Sequence, residues 1–226
     1  MRIDQESGFA LALQKRVLEG DAAPAAFQRP YVWREKHVEA LWESIAMGVP
    51  IGSFLLWRPE SGAASGRMLG PIALDPSPSS ALVLDGQNRL ATLAWSATDP
   101  ETDVPDGATG TALWRNGRHL VADTRTSRVR FVDAAEAIAD DWLVPMHHIG
   151  RSLQPETRRI WNGETELLPR VEWLNDLEHR LRSARIVVTT LHGDEEEARR
   201  AYLLISTAGV PMSAEDFDAT VAGSRS

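Results

Sequence analysis

Ala81-Leu82-Val83-Leu84-Asp85-Gly86-Gln87-Asn88-Arg89-Leu90 reads as a buried strand that turns directly into a helix. Ala81 to Leu84 is apolar throughout, and the helix that follows presents Leu90, Leu93, Ala94 and Ala97 as its buried face. Such a turn exposes backbone N–H groups and the positive end of the helix dipole, so it stabilises an anion. Gly86 lets a backbone approach a phosphate with no Cβ in the way. Arg89 adds a fixed charge with a bidentate fork, and Gln87 and Asn88 add neutral hydrogen bonds. Asp85 repels a bare phosphate, so its candidate roles are magnesium ligand, water-orienting base or partner of a sugar or base. The same residues also fit a purely structural turn, with Asp85 as N-cap, Gly86 easing the turn and Arg89 on the surface.

Upstream, Ser53 to Trp57 is a second short strand, and Glu35 to Met47 is a helix. Val38, Leu41, Trp42 and Ile45 of that helix form one apolar stripe, and Gly48 and Pro50 end it. Just before it lies Phe27-Gln28-Arg29-Pro30-Tyr31-Val32-Trp33. Pro30 biases Arg29 to extended backbone. A cation, an amide and three aromatic faces lie together there, as a nucleotide needs for its phosphate and its base. Aromatic anchors packing on the core explain the segment equally well. Further upstream, Phe9, Leu13 and Val17 predict a helix over residues 7–18.

Downstream, strands are expected at Ala112–Arg115, Arg118–Ala122, Val129–Val132 and Trp142–Met146, with a short helix near 134–140. Val171, Leu174, Leu177 and Leu181 line another helix, and Ile186 to Leu191 is a β-branched strand. Asp194 and Glu197 form a capping box for a helix that turns Ala198, Ala201, Tyr202 and Ile205 inward. Gly209 and Pro211 end it, and Ser213 with Asp216 opens another. Gly, Ser and Pro enrichment marks mobile loops near 60–80 and 98–110. No internal repeat is visible, so residues 1–226 are read as a single domain.

The formal net charge of −8 argues against a chain whose main task is gripping a phosphate backbone. Any nucleic-acid contact is then local or supplied by a partner. Arg greatly outnumbers Lys, a bias that suits phosphate recognition and that a GC-rich genome also produces. The absence of Cys excludes disulfides and Cys-based zinc sites and fits a reducing cytoplasm. No apolar run is long enough to span a membrane, and the N-terminus lacks a secretory pattern. No metal site is expected. His147 and His148, read as strand neighbours, would face opposite ways, and Glu195-Glu196-Glu197 is a solvated helix start. Arg180, Arg182 and Arg185 form a basic cluster that could meet phosphate. Most of the eight Trp belong to the core, with Trp33 the candidate for a ligand contact.

Four ordered segments carry a family resemblance: Phe27 to Trp33, Leu41-Trp42-Glu43-Ser44-Ile45, Pro50-Ile51-Gly52-Ser53 and Asp85 to Leu90. Ala201-Tyr202 through Gly209-Val210-Pro211-Met212-Ser213 extends it. Together they resemble the DGQQR-motif family, the GmrS-like N-terminal domains of modification-dependent restriction enzymes and of phosphorothioate-sensing defence proteins. The resemblance implies an α/β fold with a ParB/sulfiredoxin-like small mixed sheet, N-terminal helices and a helical C-terminal addition. It also implies binding, and in many relatives hydrolysis, of a nucleoside triphosphate with Mg2+. By position the nucleotide-binding candidates are Gln28, Arg29, Gly86, Asn88 and Arg89, and the catalytic candidates are Asp85 and Gln87. Two residues depart from the pattern: Asn88 replaces a Gln, and Ser206 stands where an Asn is usual. Relatives carry a His- and Asn-containing nuclease domain after this region, and none is read after Ser213. The chain is then either a stand-alone sensor domain or part of something longer. The partners the resemblance implies are a nucleoside triphosphate and a separate nuclease subunit or modified DNA. The rival reading is a non-catalytic DNA- or protein-interaction module.

Overall fold

The computed structural model describes residues 2–60, 65, 68–74, 81–114, 116–149 and 167–207. The first half of the chain holds β1 (Arg2–Phe9), α1 (Ala10–Leu18), β2 (Ala22–Pro24), α2 (Glu35–Met47), β3 (Ser53–Pro59), β4 (Met68–Leu69), β5 (Ile72–Ala73), β6 (Ala81–Asp85) and α3 (Gln87–Ser96). After these come α4 (Thr111–Trp114), β7 (Arg118–Asp123), β8 (Arg128–Asp133), α5 (Ala134–Ala139), β9 (Leu143–Pro145) and α6 (Met146–Ile149). The last described elements are α7 (Leu168–Ser183), β10 (Arg185–Gly193) and α8 (Glu195–Thr207).

The architecture is α/β, built on a five-stranded mixed sheet in the order β1-β10-β3-β6-β2. β10 runs parallel to β3 and β2 parallel to β6, whereas the β1–β10 and β3–β6 pairs are antiparallel. A separate antiparallel sheet, β8-β7-β9, packs beside α2. Two polar contacts tie it there: Glu39 Oε1 accepts the Phe131 N–H at 2.9 Å, and Arg118 Nε lies 3.0 Å from Glu35 Oε1.

α3 is the hub of the core. Leu90, Ala91, Leu93, Ala94 and Trp95 are all buried, so the helix is enclosed on more than the one face its periodicity implied. Trp42, Trp57, Trp95 and Trp114 are buried too. The indole of Trp42 donates to Ser96 Oγ at 3.1 Å, and that of Trp57 to the Gly193 carbonyl at 2.9 Å. These two rings enter the core with their N–H matched, as burial of a polar atom requires, whereas the buried Trp114 Nε1 has no partner among the described residues.

α2, β3, β6, β7, β8, α5, α7 and β10 lie where the sequence places them, and Gly48 ends α2 at φ +71 in the left-handed region. The Asp194–Glu197 capping box forms, with Glu197 N–H on Asp194 Oδ1 at 2.8 Å. Other expectations are corrected. Residues 7–9 belong to β1, an edge strand exposed on both faces and hence without an apolar signature. The strand expected at Ala112–Arg115 is instead α4, whose Trp114 packs on Trp95 and Phe131. His147 and His148 sit on the single turn α6 with their rings 4.2 Å apart, not on opposite faces of a strand. Ile205 is 47% exposed, so the inward face of α8 ends near Tyr202. Within 60–80 the short pair β4–β5 forms. The expected stop at Gly209 and Pro211 and the helix from Ser213 lie outside the described residues.

Under the β7–β8 turn, Asp123 is buried. Its carboxylate accepts from Arg130 Nε at 2.9 Å and from the backbone N–H groups of Arg125 at 3.0 Å and Thr126 at 3.3 Å. Burial alone would raise its pKa, but these donors outweigh it and hold the group below the usual carboxylate value. A depressed folded-state pKa means stability that is present above the unfolded value, near 4, and lost as pH falls through the folded one. Asp123→Asn should cost about 2 kcal/mol at neutral pH, on the scale of hydrogen bonds to a charged group. Urea unfolding of the variant should also show a weaker loss of stability below about pH 4 than the parent chain.

Candidate functional site

β6 ends at Asp85, and Gly86 turns the chain into α3 at φ +95. A Cβ on Gly86 would stand 2.1 Å from the Phe54 ring of β3. The glycine is thus demanded by its backbone conformation and by the neighbouring strand. Gly86, not Asp85, is the N-cap residue, and no side chain caps the helix. The first helical bond runs from Leu90 N–H to the Gly86 carbonyl at 3.0 Å. The N–H groups of Gln87, Asn88 and Arg89 precede it, so they have no partner within the helix.

Arg89 is largely spent on the fold. Its Nη1 donates to the Ile51 carbonyl at 2.8 Å, its Nη2 to Asp85 Oδ2 at 3.0 Å, and its Cζ stands 4.5 Å from the Phe54 ring centroid. Gly52 accommodates it: at φ +93, a Cβ there would lie 2.3 Å from Nη1. Burial lowers the Arg89 pKa and the Asp85 carboxylate works against that shift; the guanidinium stays charged. Asp85 keeps 46% of its side chain exposed.

The Phe27–Trp33 segment crosses this turn and is fastened to it. Gln28 Nε2 donates to the Val83 carbonyl at 2.7 Å, Gln87 Nε2 to the Arg29 carbonyl at 3.3 Å, and Val32 N–H to Asn88 Oδ1 at 3.4 Å. Tyr31 is not a ligand face but a buried anchor. Its hydroxyl lies 2.8 Å from Thr92 Oγ1, its N–H meets Thr109 Oγ1 at 3.2 Å, and its ring fits between Gly70 and Gly110. Burial pushes its phenol pKa well up, opposed by the Thr92 hydroxyl. Phe27 packs edge-on to Tyr202 at 5.9 Å, with Arg199 4.4 Å from its centroid.

All seven candidates, Gln28, Arg29, Asp85, Gly86, Gln87, Asn88 and Arg89, line one polar cleft of about 170 Å³. Trp33, Leu84 and Tyr202 complete its wall. Of the three aromatic residues in the 27–33 segment, only Trp33 faces it. Tyr202 arrives from α8; its place on the inward face of that helix was the available signal. Arg29 is exposed and has no ion-pair partner among the described residues. Its guanidinium is therefore not committed to the fold among the described residues. The cleft is smaller than the several hundred Å³ that enclose a drug-sized molecule, so a nucleotide would extend over its rim.

The other candidates lead away from a site. Arg180 binds Asp176 and the Ala46 carbonyl, Arg182 binds Glu178, and Arg185 lies over Phe9. Among the described residues there is no group of three or more potential metal ligands, and no helix long and apolar enough to cross a membrane.

A mixed α/β domain with a polar cleft at a strand-to-helix turn is the class that this geometry defines. Residues 18–219 match the family described as the GmrSD restriction endonuclease N-terminal domain, and the chain belongs to that family. A 132-residue stretch is 30% identical to an uncharacterized protein of Methanocaldococcus jannaschii, covering 54% of this chain and 22% of that protein. The match thus takes in less than a quarter of that relative's length.

Arg89 and Arg29 should separate cleanly in a stability measurement. Arg89→Ala leaves the Ile51 carbonyl unpaired and should lower unfolding free energy by about 1–3 kcal/mol. Arg29→Ala should stay within about 0.5 kcal/mol of the parent, as expected of an exposed side chain. Paired urea titrations of the two variants give the comparison.

Proposed function

We propose that the cleft is a nucleoside triphosphate site, in a regulatory domain that serves a restriction system against foreign DNA in the cytoplasm. The observation that carries this reading is convergence. Gln28-Arg29 and Asp85–Arg89 are some fifty residues apart in sequence, yet they line the same cleft at the start of α3. Phosphates would meet the N–H groups of Gln87, Asn88 and Arg89, with the Arg29 guanidinium closing over them. The base would extend toward Trp33, on whose ring it can stack. The ParB/sulfiredoxin-like core, and partnership with a nuclease subunit or modified DNA, belong to the same proposal.

The donor set fits Mg2+ in its usual nucleotide-bound form, in which one carboxylate assists the phosphates. Asp85 is the carboxylate in the cleft wall, half exposed, with one oxygen held by Arg89. Bound there, the ion would neutralise phosphate charge. Hydrolysis would need no nucleophilic side chain, because positioning and charge neutralisation dominate phosphoryl transfer to water. In its alternative role, Asp85 would orient that water instead of holding the ion, and Arg29 would stabilise the transferred group.

One observation favours the rival, binding without turnover. Asn88 is one methylene shorter than the family's Gln, and its Oδ1 already accepts the Val32 N–H. A hydrolysis assay with each of the four common nucleoside triphosphates and magnesium decides between them. On the hydrolytic reading, Asp85→Asn retains most of the affinity and loses roughly a hundredfold or more in rate, the scale of losing a positioned proton acceptor. Arg29→Ala weakens binding and rate together. Tight binding with no hydrolysis above buffer, even with DNA added, establishes the binding module, and absence of nucleotide binding removes both readings.

A further inference from the structure

Gln87 leaves one hydrogen-bonding group unused. The residue is 8% exposed, and its Oε1 is buried without a partner among the described residues, whereas its Nε2 donates to the Arg29 carbonyl. The two ends of the amide are not interchangeable. Turning it over would set Oε1 against the Arg29 carbonyl oxygen, acceptor against acceptor. The acceptor is therefore the end left over, in a residue that lines the cleft. Buried polar atoms in native proteins are almost always paired, and an exception calls for a partner supplied from outside the chain.

The rest of the turn asks for the opposite chemistry. The N–H groups at the start of α3 and the Arg29 guanidinium are donors and favour an anion. An ionised phosphate satisfies them but has no hydrogen to offer Gln87. A ligand that fulfils every group carries an anion and, a short distance away, an O–H or N–H.

We infer that Gln87 is a specificity-determining residue whose side-chain carbonyl accepts a hydrogen bond from the nucleoside part of the ligand, a ribose hydroxyl or a base N–H. This rests on the nucleotide reading of the cleft. It gives Gln87 a role other than orienting the attacking water: the carbonyl is what makes the site prefer a nucleotide to a bare polyphosphate. A site built to accept a hydrogen bond rejects a ligand that lacks the donor more strongly than apolar packing would, because its own group then stays buried and unpaired.

The test uses the full chain and calorimetric titration with two probes. One is the nucleoside triphosphate that the parent binds best; the other is inorganic tripolyphosphate. Gln87→Met, close in length and without the amide, should weaken nucleotide binding about tenfold and leave tripolyphosphate binding within twofold. On the ligand side, at least one of the 2′-deoxy, 3′-deoxy and base-N-methyl analogues should lose about tenfold against the parent. That same analogue should show no penalty against Gln87→Met, which is the signature of a direct pair. The analogue series on the parent alone keeps the inference testable even where the variant fails to fold. Equal weakening of both probes, or hydrolysis slowed with both affinities unchanged, overturns the inference in favour of a scaffolding or water-orienting role. A parent that binds tripolyphosphate but no nucleotide better, with every analogue equal, also overturns it. A parent that binds neither probe removes the nucleotide reading itself, and this inference with it.

Discussion

Phe54 occupies the space that a side chain at position 86 would need, and the turn from β6 into α3 is built around its ring. Gly86 backs onto it at φ +95, and the Arg89 guanidinium lies across it 4.5 Å from the centroid. With the ring in place the chain can reverse from strand to helix without a cap, and Arg89 is directed onto the Ile51 carbonyl and Asp85. The first N–H groups of α3 lack partners within the helix because Leu90 closes the first helical bond on Gly86. Asp85 stays at the rim because Arg89 holds one of its oxygens.

The arrangement divides the work of the two arginines. A guanidinium that lies over a ring and binds a carbonyl and a carboxylate is a structural cation, and moving it to a ligand would strand the Ile51 carbonyl. Arg29, exposed on a segment with Pro30 next in line, has no such commitment. Local charge at the cleft therefore rests on one free arginine and a helix terminus. On the proposed reading, a net charge of −8 would not prevent an anion from sitting there, because helix-dipole and N–H contributions fall off within a turn and are set locally.

How far the sequence disclosed this depended on periodicity. α2, α7 and β10 announced themselves through apolar spacing that burial then satisfied, as did the Asp194–Glu197 cap through its local pairing. β1 carried no such mark. Arg2 to Phe9 is an exposed edge whose place is fixed by pairing with β10, some 180 residues later. α4 read as a strand because Trp114 and Leu113 are bulky and apolar, and only the ring contacts with Trp95 and Phe131 show what they bury against. At the cleft, motif order picked out residues that line one pocket, but not how each of them is packed. Nothing in Asp85 to Arg89 reveals that Ile51 offers a carbonyl or that Phe54 fills the glycine's open side. Tyr31 looked like a stacking face for the same reason, since Gly70 and Gly110, which receive its ring, lie far off in sequence.

The fastening of the 27–33 segment bears on the thermodynamics of recognition. Loops that form binding sites usually pay conformational entropy when a ligand orders them, and part of the interaction is consumed in that ordering. Here Gln28, Tyr31, Val32 and the Arg29 carbonyl are already held by Val83, Thr92, Thr109, Asn88 and Gln87. The disorder was surrendered when the chain folded. On the nucleotide reading, a ligand reaching this rim would meet a segment already held in place and would spend little of its interaction on ordering it.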